Sequence, residues 1–118
     1  MIRRVPKPWG EEIIFAHTER YAGKVLCLRR GESLSFQYHE RKDETIYLHA
    51  GEVRVDLESA GARETRILRP GEALRFPPGT RHRMEGLADS VLFEVSTPEL
   101  DDVVRLEDRY GRAAKPLP

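Results

Sequence analysis

The 118-residue chain carries 20 Lys and Arg against 20 Asp and Glu, a formal net charge of zero at pH 7, so no overall field favours nucleic acid or an anionic membrane as a partner. Its single cysteine, Cys27, excludes an internal disulfide and a cysteine-built zinc site. No apolar stretch has the length of a signal peptide or a membrane span, and the chain reads as one soluble, cytoplasmic domain over 1–118.

Strand signals follow one another along the chain. "GKVLCLRRG", "SLSFQYH", "ETIYLHAG", "EVRVDLE", "ETRILRPG", "EALRFPPG", "HRME" and "SVLFEVST" are short runs with mostly two-residue alternation. Gly31, Gly51, Gly61, Gly71 and Gly79 punctuate them at the rhythm of an all-β barrel or sandwich. "RPG" at 69–71 and "PPG" at 77–79 are turns in which proline presets φ and glycine supplies positive φ. The barrel is expected over roughly 10–97. Beyond it, "PELDDVVRLEDRYGR" places Glu99, Asp101 and Asp102 ahead of Val103, Val104 and Leu106, which suits a short helix or an ordered arm at 98–113. "AAKPLP" reads as a frayed tail at 114–118.

Within "SLSFQYHERKDETIYLHAG", strand parity sends Ser33, Ser35, Gln37 and His39 to one face and Leu34, Phe36 and Tyr38 to the other. The polar set belongs inside a barrel whose lumen holds a site. The apolar set then forms an outer wall, and a homodimer surface if nothing else covers it. Glu44 opens the next strand on the face of Ile46 and Leu48, and His49 points away, which excludes it as a ligand. After the "PPG" turn, His82 shares a face with Met84. Two imidazoles, a carboxylate and an amide oxygen suit zinc, manganese, iron or nickel better than calcium or magnesium. The same residues could instead form a polar binding lumen with no metal.

These segments carry a family resemblance. "GESLSFQYHERKDETIYLHAG" resembles the first cupin motif and "GEALRFPPGTRH" the second, which implies a double-stranded β-helix, or jelly-roll, fold. Gln37 stands where most cupins have histidine. A Gln, a His two residues on and a following Glu resemble the cupin domain of type II mannose-6-phosphate isomerases. "KPWG" at 7–10 and "FEVSTPELDDVVRLEDRYGR" near the end fit the same domain, so the resemblance runs from Lys7 to Arg112. Departures occur at Glu40 and Arg41, where that family has further histidines, and at Ser96, where it has Gln. The relatives also tend to carry a nucleotidyltransferase domain, of which these residues contain none.

The resemblance implies a metal centre of Gln37, His39, Glu44 and His82 holding one divalent ion, with zinc ahead of manganese, iron and nickel. It implies a sugar phosphate as the small-molecule partner and aldose–ketose isomerisation through a metal-stabilised enediolate. Lys24 and Glu94 are the candidate bases, and Arg105 the candidate phosphate fork, with Arg112 behind it. Arg105 could instead pair with Asp101, Asp102 or Asp108 and pin the tail. Trp9 reads as a core plug ahead of a sugar-stacking platform. Two other classes stay open: a non-catalytic module binding a sugar or sugar nucleotide, and a metal cupin dioxygenase.

Overall fold

Two-residue alternation broken by glycine and proline becomes strand after strand. The computed structural model describes residues 2–112, so the tail read at 114–118 lies outside the described residues. Among these, the elements are β1 (Arg3–Lys7), β2 (Gly10–His17), β3 (Ala22–Leu28), β4 (Phe36–Tyr38), β5 (Glu44–Ala50), β6 (Val53–Ser59), β7 (Ala62–Leu68), β8 (Ala73–Phe76), β9 (Arg81–Gly86), β10 (Ser90–Ser96) and β11 (Val104–Glu107), with no helix. They form two antiparallel sheets, one ordered β1-β2-β3-β10-β5-β8 and the other β11-β4-β9-β6-β7. The all-β jelly-roll expectation is met. No helix among the described residues is long and apolar enough to cross a membrane.

The faces that meet between the sheets are divided along their length. At one end Leu26, Leu28, Ile46, Leu48, Val53, Val55, Phe76, Met84 and Leu92 form an apolar cluster with Trp9 and Leu68. At the other end the same strands carry charge inward: Lys24 precedes Leu26 on β3, Glu44 precedes Ile46 on β5, and Glu94 follows Leu92 on β10. All three are buried. The apolar half supplies the burial that stabilises the barrel, and the charged half is free to be a site.

Sheet structure extends past both ends of the expected barrel. β1 pairs with β2 from Arg3↔Ile14 to Lys7↔Gly10. Pro6 and the charges of "RRVPK" disguise this strand, yet proline is tolerated here because β1 is the sheet edge. At the other end, of the two forms expected for the arm, it is the ordered one: residues 97–112 contain no helix and pair β11 onto β4.

The outer apolar wall needs correction. Residues 33–35 are not regular strand, and Leu34 packs against the core cluster and lines the internal cavity instead of facing out. Phe36 does face out but is buried, with the Arg63 and Arg83 guanidinium carbons 5.0 and 5.8 Å from its ring centroid. Arg81 covers Tyr38 at 5.7 Å in the same way. The chain covers much of this wall itself, so the condition attached to a dimer surface there is not met. Exposed apolar side chains lie on the outside of the other sheet, at Tyr47, Phe93 and Val95.

All five punctuating glycines have positive φ. Two of them separate backbone strain from steric exclusion. At Gly51 (φ +99°) a Cβ would meet Ser90 Oγ at 2.2 Å and Asp89 O at 2.6 Å, whereas at Gly61 (φ +79°) it would meet nothing. Gly61→Ala should therefore cost only the left-handed backbone penalty, about 1–2 kcal/mol. Gly51→Ala should cost clearly more. Urea unfolding of the two variants checks this, and equal losses would show that the contact at Gly51 is relieved without cost.

Candidate metal centre

His39 ends the run that contains β4, Glu44 begins β5 and His82 lies near the start of β9; all three are buried. One donor atom from each lies within 4.8 Å of the others. His39 Nε2 is 3.0 Å and His82 Nε2 3.1 Å from the same oxygen, Glu44 Oε1. Both rings are held by their other nitrogen. His39 Nδ1 meets the Asp102 carbonyl at 2.5 Å, and His82 Nδ1 meets the Thr80 carbonyl at 2.9 Å. A carbonyl only accepts, so each Nδ1 carries the proton. The Phe76 ring, stacked on His82 at 4.0 Å between centroids, fixes its plane.

That arrangement poses a chemical problem. With Nδ1 protonated in both rings, the two Nε2 atoms face a carboxylate oxygen as lone pairs. His82 Nε2 is buried without a hydrogen-bond partner among the described residues. Protons could satisfy the three atoms only by adding two of them to the cluster, on both imidazoles or on one imidazole and Glu44, which leaves it a net cation with ring centroids 5.4 Å apart and the Lys42 ammonium beside it. One divalent cation satisfies all three at once, and two neutral imidazoles with a carboxylate are a familiar donor set for one. The residues present fit a metal.

Gln37 enters the same cavity. Its Cα partner across the ladder is His82, and its Oε1 accepts the Ser35 hydroxyl at 2.5 Å. An amide oxygen has a second lone pair, so this contact orients the group while leaving an acceptor free. His49 lies outside, exposed and stacked on Phe93, as parity requires.

The cavity holds about 360 Å³ and is lined by Gln37, His39 and Glu44 together with Lys24, Glu94 and Arg105, so every residue read as catalytic borders it. Trp9 belongs to the core cluster and also borders this space. An unbroken series of alternating charges runs from the metal ligands along the wall. Lys42 Nζ lies 3.1 Å from Glu44 Oε2 and 3.0 Å from Glu94 Oε2. Lys24 Nζ lies 3.9 Å from Glu94, 2.6 Å from Glu12 Oε1, and Lys7 follows at 3.7 Å from Glu12 Oε2.

Each charge in the series is conditioned by its neighbours. Burial opposes an ionised Glu44, but the two imidazoles, which donate to it only when protonated at Nε2, and the Lys42 ammonium outweigh burial and hold the carboxyl well below its usual range. Burial opposes the Lys42 ammonium too, and Glu94 and Glu44 together keep it above the ordinary lysine value. Burial and the Glu44 charge push Glu94 up to about 7 against the pull of Lys42 and Lys24. Lys42 also engages Oε2 of Glu44, which leaves Oε1 to the imidazoles.

Lys42, Glu12 and Lys7 were not found by sequence reasoning. Lys42 sits in a loop where alternation assigns no face, and Glu12 lies on β2, whose adjacent Glu11 and Glu12 break the alternation at its start.

The arm supplies Arg105. Its Cα pairs with Gln37, and among the described residues it makes no ion pair with Asp101, Asp102 or Asp108. Asp108 is taken by Arg112, at 2.9 and 3.0 Å, and the Asp102 carboxylate by backbone N–H groups. Arg105 Nε is buried without a partner among the described residues. Burial and the nearby Arg112 charge hold its pKa below the ordinary arginine value, with Asp108 and Glu12 opposing.

His82→Ala should remove metal binding from a protein that remains folded. Loss of a direct ligand should exceed the roughly 10–100-fold penalty carried by outer partners. Added Zn²⁺ should raise the Tm of the parent protein and leave that of the variant unmoved; equal shifts would remove His82 from the donor set.

The family model described as a cupin domain matches residues 24–95. Mannose-1-phosphate guanylyltransferase ManC of Salmonella typhimurium is 38% identical over 117 residues, covering 95% of this chain and 24% of that protein. The Escherichia coli K12 mannose-1-phosphate guanylyltransferase is 35% identical over 115 residues, covering 93% of this chain and 23% of that protein. The chain thus spans about a quarter of the length of these curated relatives. Among solved structures, KdgF from Halomonas sp. superposes with a TM-score of 0.72 at 31% identity, covering 86% of this chain and 88% of that one. Oxalate decarboxylase from Bacillus subtilis superposes at 0.78 with 17% identity, over 89% of this chain and 30% of that one, a likeness of fold alone. On the family match, the near-complete alignment with KdgF and the jelly-roll architecture, the chain belongs to the cupin domain family.

Proposed function

We propose that this cupin is a metal-dependent isomerase of sugar phosphates, interconverting an aldose and a ketose as the mannose-6-phosphate isomerases do. The observation that carries the reading is one cavity holding three complementary parts. His39, Glu44 and Gln37 line one side with metal donors, His82 completes the set by contact with Glu44 at 3.1 Å, Glu94 offers a buried proton acceptor beside them, and Arg105 on the arm brings a guanidinium whose buried Nε has no partner among the described residues. The substrate class is also supported by the relatives, whose names place mannose 1-phosphate in their chemistry.

A divalent cation in this donor set, zinc in the first instance, would supply Lewis acidity toward the sugar oxygens. Glu94 is the better of the two candidate bases. A carboxyl poised near neutrality can take the proton from one carbon and return it to the next. Lys24 is already engaged as a donor, to Glu12 at 2.6 Å, and its role in this reading is to hold charge and geometry around Glu94. Lys42, bridging Glu94 and Glu44, fixes the distance between base and metal ligand. Arg105 grips the phosphate through its fork.

Incubation of the ketose phosphate with metal-loaded protein in D₂O should place deuterium at C2 of the aldose formed. Glu94→Gln should abolish that exchange while retaining bound metal. Binding of the sugar phosphate without deuterium incorporation would favour the non-catalytic module. Oxygen consumption by an iron-loaded sample would favour the dioxygenase.

Arg105→Lys keeps the charge and loses the bidentate fork. Affinity for the sugar phosphate should fall about tenfold, or ~1.4 kcal/mol, while affinity for the unphosphorylated sugar should not change. Equal affinities for the phosphate in parent and variant would take Arg105 out of the binding site.

A further inference from the structure

The four residues between His39 and Glu44 have to hold one ligand at each end and Lys42 between, yet they belong to no strand. Their backbone N–H groups therefore lack a ladder, and their partners define the loop's shape. The partners for all four come from the segment after β10. Asp102 Oδ1 accepts the N–H of Glu40 at 3.1 Å, and Oδ2 those of Arg41 at 2.7 Å and Lys42 at 2.9 Å. Thr97 Oγ1 accepts the N–H of Asp43 at 3.0 Å. Successive N–H groups converging on one carboxylate form an anion-holding concavity whose anion is supplied from within the chain.

Asp102 acts twice. Besides its carboxylate contacts, its backbone carbonyl takes the Nδ1 proton of His39 at 2.5 Å, and this contact turns the Nε2 lone pair toward Glu44 Oε1. One residue on the arm thus sets the tautomer of a ligand and the path of the loop that leads to the next ligand.

We propose that Asp102 is a positioning residue for the metal centre, so that the C-terminal arm and the bound cation hold each other in place. The proposal rests on reading His39, Glu44 and His82 as metal ligands. Linkage makes the effect reciprocal: if the ordered arm raises metal affinity, metal must stabilise the ordered arm by the same factor. Arg105, Asp101 and Val103 of the arm border the cavity, and metal loading thereby organises the substrate wall as well as the metal site.

The test measures Zn²⁺ affinity by chelator competition, under conditions where circular dichroism shows folded protein, for the parent, Asp102→Ala, Asp102→Asn and Glu107→Gln. Glu107 is on the same arm and, among the described residues, its side chain makes only an exposed pair with Arg83 at 3.6 Å. Asp102→Ala should bind Zn²⁺ roughly 10–100-fold more weakly. Asp102→Asn should fall between, because the amide keeps one acceptor oxygen and turns a donor toward the remaining N–H groups. Glu107→Gln should match the parent.

Hydrogen exchange of the parent adds a readout independent of folding losses. Zn²⁺ should slow exchange at the amides of residues 40–42 and across residues 98–112. If Asp102→Ala is folded and binds Zn²⁺ as the parent does, or if Zn²⁺ leaves arm exchange unchanged in the parent, Asp102 is only a staple and the proposal fails alone. If the parent binds neither Zn²⁺, Mn²⁺, Fe²⁺ nor Ni²⁺, the metal reading fails and takes the proposal with it.

Discussion

Two imidazole nitrogens and a carboxylate oxygen share a buried space in which ordinary protonation cannot satisfy all three, because the rings have already committed their Nδ1 protons to the carbonyls of Thr80 and Asp102. Most of what surrounds this point answers to that constraint. Phe76 clamps one ring, Lys42 occupies the second oxygen of Glu44, and the Gly79 N–H reaches the His39 carbonyl at 2.7 Å to join the two ligand-bearing loops. Such a site is costly in an apolar barrel unless a cation or a substrate compensates it. The division of the interior makes the cost tolerable. The apolar half, from Trp9 to Leu92, holds the sheets together, and the charged half can be tuned for chemistry.

The ion series extends the same logic away from the metal ligands. Buried pairs contribute little net stability, because desolvation offsets their attraction. Their use here is geometric and electrostatic. Lys42 lies between the two carboxylates, so neither Glu44 nor Glu94 can move without disturbing the other, and the proximity of Glu44 is one of the two causes that raise Glu94 toward neutrality. Glu12 and Lys7 carry the pattern onward to the β1–β2 hairpin, which makes that hairpin part of the cavity wall.

How much of this could be read from the residues depended on whether local backbone geometry was regular. Alternation placed Gln37 and His39 toward one lumen, sent Glu44 in with Ile46 and turned His49 out, because parity is reliable on a regular strand. It failed at Leu34, where residues 33–35 leave the ladder, and Lys42, in the loop between His39 and Glu44, offered no parity to use. Glu94 was legible as a carboxylate on a strand that could line the lumen, and Arg105 chiefly through the resemblance of the tail to a known domain. The double role of Asp102 was not legible. Its partners lie about sixty residues away, and an acidic residue opening the arm reads equally well as the start of a helix or ordered arm, or as an ion-pair partner of Arg105.

The most direct test of the account is the metal content of protein purified without chelator or histidine tag, measured by elemental analysis beside Glu44→Gln prepared identically. The account predicts about one equivalent of a divalent transition metal in the parent and essentially none in the folded variant, because Glu44 Oε1 is the atom on which both imidazoles converge. Full metal content in Glu44→Gln, or a parent that takes up none of zinc, manganese, iron or nickel when each is added back, would contradict it. The first result would take Glu44 out of the donor set, and the second would leave these residues as a polar binding lumen.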